Sequence, residues 1–351
     1  MIIETMLPLG RADSGLKSSD GSLDITAVAE DAPRVERLGF DGLAIQDNKD
    51  DPYVLATLAL QASQRLRVAT SVAIAFPRSP TVTAMTAWSL ARLSGGRFVL
   101  GLGSQVKGHI ERRFGGQWSA PAPWMRDYLR AVRDLWQAWQ EEQPVDHTSA
   151  HYRINLNVPV FTPAPLQSSP IPIHLAAVNP AMCRVAGELA DGLRVHPICS
   201  PRYVREVILP EARRGATRAG RELVDFEIAV KPLVATAADP TTLAARAEEM
   251  RGRIAFYGST PAYAAAFELH GLGDVATALN ALSRAQRWSE MPSLISDEVL
   301  HTFATVARHD DMVEQLRSRY ADFAGSMEFS IPVREARDEA VLAEMVRALR
   351  A

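Results

Sequence analysis

Short apolar runs recur along the chain, each closed by a polar or glycine-bearing turn and followed by a longer segment with apolar residues at helical spacing. The short runs predict strands at Ile2–Leu7, Leu43–Ile45, Leu66–Ala75, Arg97–Gly101, Ile171–Ala176, Leu193–Val195, Phe226–Val230 and Asp322–Met327. A polar stretch from Gly10 to Gly21 separates the first strand from the first helix. The longer segments predict helices at Asp24–Leu38, Pro52–Gln64, Pro80–Leu93, Arg126–Gln140, Pro180–Ala190 and Arg202–Ala219. Four more are predicted at Pro240–Phe256, Pro261–His270, Asp274–Arg287 and Asp297–Val306, and a C-terminal one over 334–350. The clearest is Arg126–Gln140, where Leu129, Val132, Leu135, Trp136 and Trp139 fall on one stripe. Pro33 should begin or kink the second half of its helix, and Pro210 should break the segment from Arg202.

Strands that alternate with helices imply a parallel sheet. Eight such units in 351 residues fit an α/β fold of the (β/α)8 TIM-barrel type, read as one domain over 1–351, better than an open doubly wound sheet. Six prolines from Pro144 to Pro172 erase all periodicity, which marks an insertion loop at 144–170, after the fourth barrel helix, with room for a short hairpin. Two helix-to-strand joints, Gly39-Phe40-Asp41-Gly42-Leu43 and Leu189-Ala190-Asp191-Gly192-Leu193, stand four units apart. They are either the trace of a half-barrel duplication or two instances of a common Asp-Gly turn.

Composition narrows the function. Hydrophobic residues at 47% and charged residues at 23% are those of a globular chain. A net charge of −3 offers no basic surplus for nucleic acid or an anionic membrane. No apolar run approaches a membrane span and no signal-peptide pattern opens the chain, so a cytoplasmic protein is expected. Cys183 and Cys199 have no disulfide or ligand spacing, and no HxH, HExxH or paired-carboxylate pattern suggests a metal. A GxSxG nucleophile elbow is also missing.

In a barrel of this kind chemistry sits at the C-terminal strand ends. There the sequence places Asp47 and Asn48, Thr70-Ser71-Val72, Gly101-Leu102-Gly103-Ser104-Gln105, Ala176-Ala177-Val178-Asn179, His196 and Lys231. Gly101-x-Gly103 reads either as an anion-binding turn or as a tight strand-to-loop turn. Ala177-Val178-Asn179 precedes a helix that opens on Pro180, and helix N-termini attract anions. Asp47 and Asn48 are ligand contacts or helix caps. His174 lies inside a strand and reads as a core residue, whereas His196 ends a strand and can serve as an acid or base. The basic run Lys107–Arg113 reads as a solvated helix face.

The segment Leu66–Arg113, with Arg-Val-Ala-Thr-Ser-Val-Ala-Ile-Ala-Phe, Ser-Pro-Thr-Val-Thr-Ala and Gly-Gly-Arg-Phe-Val-Leu-Gly-Leu-Gly-Ser-Gln-Val-Lys, resembles the bacterial-luciferase-like superfamily. Ile173–Met182, Ala186–Pro197 and Phe256–Pro261 are similar to it too, and within it the likeness is to deazaflavin oxidoreductases that use coenzyme F420. The resemblance implies a (β/α)8 barrel with an insertion and a non-proline cis peptide at Ser71-Val72, behind the deazaflavin ring. It implies a cofactor phosphate near Gly103, Ser104, Gln105, Ala177, Val178 and Asn179, with Asp47 against the ring system. Sugar-phosphate dehydrogenases of this group carry His where this chain has Asn48, and Val106 stands near the place of their acidic residue. Asn48 therefore takes a catalytic position without acid–base capacity, which leaves His196 or Tyr257 as proton donor. Trp118, Trp124, Phe114 and Tyr257 read as pocket walls or as core.

The expected activity is hydride transfer between coenzyme F420 and a small organic substrate, by a homodimer. The alternatives are an FMN-dependent monooxygenase of the same superfamily and a non-catalytic cofactor-binding protein.

Overall fold

The computed structural model describes residues 1–10 and 23–351. The expected polar stretch lies, past Gly10, outside the described residues. Eight parallel strands close into a barrel: β1 (Ile2–Thr5), β2 (Gly42–Ile45), β3 (Arg67–Thr70), β4 (Phe98–Gly103), β5 (Ile173–Ala177), β6 (Gly192–Val195), β7 (Glu227–Val230) and β8 (Ser326–Glu328). Strand β1 pairs with β2 on one side and β8 on the other, with Glu4 opposite Gly42 and Ile2 opposite Ser326, so the ring has no open edge. All eight expected strands are present, and the fold is the TIM barrel that their alternation with helices implied.

The helix Pro121–Gln140 buries its stripe of Leu129, Val132, Leu135, Trp136 and Trp139. The insertion after it holds an antiparallel hairpin, His147–Thr148 with Arg153–Ile154, and a 3-10 turn at Pro159–Phe161 before β5 begins.

Three expectations need correction. The single strand expected at Leu66–Ala75 is two pieces, Arg67–Thr70 and Ala73–Ile74, joined through a cis Ser71-Val72 peptide. Pro210 does not break its helix. A wide turn at Val204–Ile208 shifts the hydrogen-bond register, so that Pro210 falls in the first turn of Leu209–Arg218, where a missing N–H is harmless. The helix expected to Val306 ends at Phe303, and β-branched Thr305 and Val306 join the strand Ala304–Arg308. That strand pairs in parallel with Leu233–Ala237 outside the barrel, and the helix His309–Tyr320 follows it unannounced.

The barrel interior is ionic. Buried Glu4 accepts from Arg194 at 2.9 and 3.2 Å and from Arg67 at 2.8 Å. Arg67 also grips both oxygens of Glu227 at 2.6 Å. Glycines on neighbouring strands make the room: a β-carbon on Gly42 would meet Glu4, one on Gly101 would meet Arg194, and one on Gly192 would meet His174. His174 is the core residue that the sequence suggested, 2% exposed, and its Nδ1 has no hydrogen-bond partner.

Burial first, and then the charge of Arg194, lower the His174 pKa to about 4. Between the ordinary value of 6.5 and about 4, the unfolded chain binds a proton there that the folded chain refuses, so acidification through that window removes stability. Glu227 extends the loss. Burial raises its pKa, but the hydrogen bonds and charge of Arg67 outweigh burial and hold it at about 2. Its stabilisation is complete above 4.5 and fades as the pH falls towards 2. Thermal midpoints should therefore drop from pH 7 to pH 4, and His174→Asn should flatten the drop above pH 4.5. A variant curve parallel to the wild type would remove His174 from this account.

Candidate functional site

The ends of β3, β4 and β5 meet at the C-terminal mouth. A β-carbon on Gly103 would stand 2.6 Å from Val72 Cγ2 and 3.6 Å from Ala176 Cβ, so the ends of three strands converge on one point. Gly101 lies within β4 and has its space taken by Thr70, which makes it a packing residue rather than part of an anion turn. Past Gly103, Ser104 Oγ donates to the Gln105 carbonyl at 3.2 Å. Gln105 itself adopts a left-handed φ of 59°, its side chain accepting the Val106 N–H at 3.0 Å.

On β5, Ala177 is buried and Val178 half-buried, its carbonyl accepting the Tyr203 hydroxyl at 3.1 Å. The Asn179 amide turns away to donate to the Ala262 carbonyl at 3.1 Å, and the ten-residue helix Pro180–Leu189 starts with no side-chain cap. An uncapped helix start beside two loops of small residues suits a phosphate.

Asp47 is not a helix cap. Asp51 caps Pro52–Ala62, accepting the Tyr53 N–H at 2.8 Å. Asp47 Oδ2 instead accepts the Ile74 N–H at 3.0 Å and Arg78 Nη1 at 2.6 Å, which ties the end of β2 to the chain just past Ser71 and Val72. Exposed Asn48 bonds locally: its amide donates to Gln46 Oε1 at 3.2 Å, and its backbone carbonyl accepts from Arg113 at 2.7 Å. It lines a cavity of about 80 Å³ with Met6, Gln46 and Lys49.

His196 and Tyr257 do meet, their rings 4.7 Å apart and at 80°. Tyr263, which the sequence did not single out, lies closer to His196 at 4.1 Å, and burial pushes its hydroxyl up to about 12. His196 Nδ1 accepts the Ile198 N–H at 3.2 Å, so the neutral ring carries its proton on Nε2.

A larger cavity of about 340 Å³ opens beside Phe76 and Arg78, just beyond Ala73–Ile74. Phe76 and Trp124 stack at 3.8 Å and 7° on its wall, and Trp118 meets Phe76 edge-on. Trp124 Nε1 donates to Tyr152 Oη at 2.7 Å. Of the four aromatics expected to wall one pocket, Trp118 and Trp124 do so. Phe114 lies under Arg113, and Tyr257 is with His196. Ser119 and His151, which the sequence gave no reason to join, line the same cavity.

Among the described residues, no three His, Cys, Asp or Glu side chains gather as a metal site, and no helix is long and apolar enough to cross a membrane.

The family described as luciferase-like monooxygenase matches residues 6–326. An uncharacterized Mycobacterium tuberculosis protein, Rv1360, is 41% identical over 303 residues, covering 86% of this chain and 89% of its own. A putative coenzyme F420-dependent oxidoreductase of the same organism, Rv3520c, is 30% identical over 321 residues, covering 86% and 88%. Among solved structures, the coenzyme F420-dependent tetrahydromethanopterin reductase of Methanopyrus kandleri superposes with a TM-score of 0.73 at 20% identity, covering 98% of this chain and 97% of its own. The EDTA monooxygenase of Chelativorans superposes with a TM-score of 0.75 at 17% identity, covering 100% and 93%. At those identities the two structures establish the shared barrel.

Proposed function

The chain belongs to the luciferase-like monooxygenase family, and on that premise we propose that it is an oxidoreductase moving hydride between coenzyme F420 and an organic substrate. The observation that carries this reading is the approach of Gly103 to Val72 and Ala176, where two strands lead into Ser104–Gln105 and into the uncapped helix start at Pro180. The likeness to a relative named as a putative F420-dependent oxidoreductase supports the choice of cofactor.

The residues present fit such a group. Gly103, Ser104, Gln105, Ala177, Val178 and Asn179 would hold its phosphate through backbone N–H groups, the small side chains allowing close approach. Ser71 and Val72 would back its ring, with Asp47 and Arg78 fixing the segment that follows. When bound, the cofactor supplies the hydride chemistry, and the chain supplies orientation and proton handling. His196, with Tyr257 against its ring, is the acid–base candidate on the far strands, and Asn48 offers a hydrogen bond but no proton. The second reading is an FMN-dependent monooxygenase, favoured by the family's own description and by the superposition on a monooxygenase.

Titration of the purified protein with coenzyme F420 and, separately, with FMN, followed by cofactor fluorescence, decides between them. F420 is expected to bind at least about tenfold tighter than FMN, a difference of about 1.4 kcal/mol. Preference for FMN would move the reading to the monooxygenase. Binding of neither would leave the family and the barrel without this activity.

A further inference from the structure

The helix Pro121–Gln140 and the insertion hairpin build the same three-residue arrangement twice. In the first, His151 Nδ1 lies 2.7 Å from Asp127 Oδ2, and His151 Nε2 lies 3.1 Å from Ser119 Oγ. In the second, His147 Nδ1 lies 2.7 Å from Asp134 Oδ2, and its Nε2 lies 3.2 Å from Ser149 Oγ. A carboxylate on Nδ1 keeps the ring proton on that side, so Nε2 is left as an acceptor for a hydroxyl proton.

The two sets differ in surroundings. Ser149 sits in the hairpin, bonded to both the carbonyl and the N–H of Tyr152, and His147 is 4% exposed. That set holds the hairpin to the helix. Ser119 and His151 instead face the 340 Å³ cavity with Phe76, Trp118 and Trp124.

We propose that Asp127, His151 and Ser119 form a proton relay, in which Ser119 Oγ exchanges a proton with an oxygen of an alcohol or carbonyl substrate held against the aromatic wall of the cavity. The proposal rests on the redox reading above and gives it a proton path other than His196. In the oxidising direction the substrate hydroxyl proton passes to Ser119 Oγ while the Ser119 proton passes to His151 Nε2. The O–H electron pair would become the carbonyl π bond as hydride leaves the adjacent carbon, for which the oxidised deazaflavin of the proposed function would be the acceptor. His151 ends as an imidazolium against the Asp127 carboxylate, and reduction runs the same transfers backwards. Ser119 is the group that touches substrate, and Asp127 is a positioning residue.

The other charged or titratable groups around His151 are Tyr152, whose hydroxyl burial raises to about 12, and Arg78 on the cavity wall, which Asp47 and Asp51 already neutralise.

The test needs neither cofactor nor substrate. The full chain is incubated with phenylmethanesulfonyl fluoride, whose ring suits the aromatic walls, and the adduct is located by peptide mass mapping over a range of pH. A hydroxyl whose proton is taken by His151 should be labelled at Ser119 and not at Ser149, more slowly as His151 is protonated. Asp127→Asn and His151→Asn should each slow labelling by about a hundredfold or more, and His147→Asn should stay within about threefold of the wild type. No adduct, an adduct equally on Ser149, or a rate indifferent to Asp127→Asn would overturn the relay. So would sustained, Ser119-dependent hydrolysis of p-nitrophenyl acetate, which would make this an acyl-transfer site. Failure of labelling in a protein that binds F420 would sink the relay alone. Labelling in a protein that binds no F420 would sink its redox role together with the proposed function.

Discussion

Arg194→Met is expected to destabilise the fold by about 3–5 kcal/mol, read as a lower guanidinium unfolding midpoint. Glu4 is fully buried and accepts hydrogen bonds from both Arg194 Nη atoms. Burial raises its pKa, but the charges of Arg194 and then Arg67 outweigh burial, and the carboxyl stays below its ordinary range. Methionine keeps most of the arginine stem and removes only the charge and its hydrogen bonds. Arg67 is then the one guanidinium left for Glu4, and it already grips both oxygens of Glu227. Two carboxylates, one of them fully buried, would share one cation. Removing the stranded acid as well, in Glu4→Gln with Arg194→Met, should recover at least about 2 kcal/mol of the loss, which is the coupling a double-mutant cycle reads. A single-variant loss below about 1 kcal/mol would mean that water reaches the barrel interior and that the network is no tighter than a surface ion pair.

That ionic core explains why the strands were easier to read than their interior. Strand positions such as Ile3, Leu43, Val68, Leu100, Ile173 and Leu193 are all fully buried, and their apolar runs between glycine stops marked the eight strands. The charged and glycine positions between them gave no comparable signal, because Glu4, Arg67 and Arg194 become partners only when the barrel closes. The same holds at the mouth. The barrel rule led to these strand ends, and His196 and Tyr257, read from the sequence as alternative proton donors, are neighbours in the structure. Tyr263 was not singled out, since it reaches His196 from a 3-10 turn after the long helix Pro240–Gly258. Ser119, Asp127 and His151 were illegible for a related reason. Their meeting depends on how the proline-rich insertion folds back on the helix Pro121–Gln140, and no local periodicity encodes that. Gly101 was legible as a required glycine, but neither suggested cause, an anion-binding turn or a tight strand-to-loop turn, is the one found: it lies inside the strand with its space claimed by Thr70 and Arg194.

Gly101→Ala should therefore be severely damaging, costing about 3 kcal/mol or more. The added carbon would stand 1.8 Å from the Thr70 carbonyl oxygen and 3.3 Å from Arg194 Cδ. A backbone carbonyl has no rotamer to escape into. Thr70 Oγ1 also fixes the spacing, donating to the Gly101 carbonyl at 2.7 Å and accepting its N–H at 2.8 Å. Relief would require β4 to part from β3 at the pairing that closes the barrel. Gly103→Ala, two residues on, meets a side-chain methyl instead, Val72 Cγ2 at 2.6 Å, which can shift at modest cost. The fold should survive that change, while cofactor affinity should fall by about 10- to 100-fold, or about 1.4–2.8 kcal/mol, as the loop moves off Val72. Trimming the obstacle with Val72→Ala leaves Ala176 Cβ at 3.6 Å and the Cβ of residue 72 at 3.8 Å, both ordinary contacts, and should restore binding in the Gly103→Ala background. Unfolding midpoints and F420 titrations on these four proteins separate the two roles. A Gly101→Ala protein as stable as the wild type would mean that the β3–β4 seam is loose, and unrescued binding in the double variant would mean that Val72 does not place the Gly103 loop.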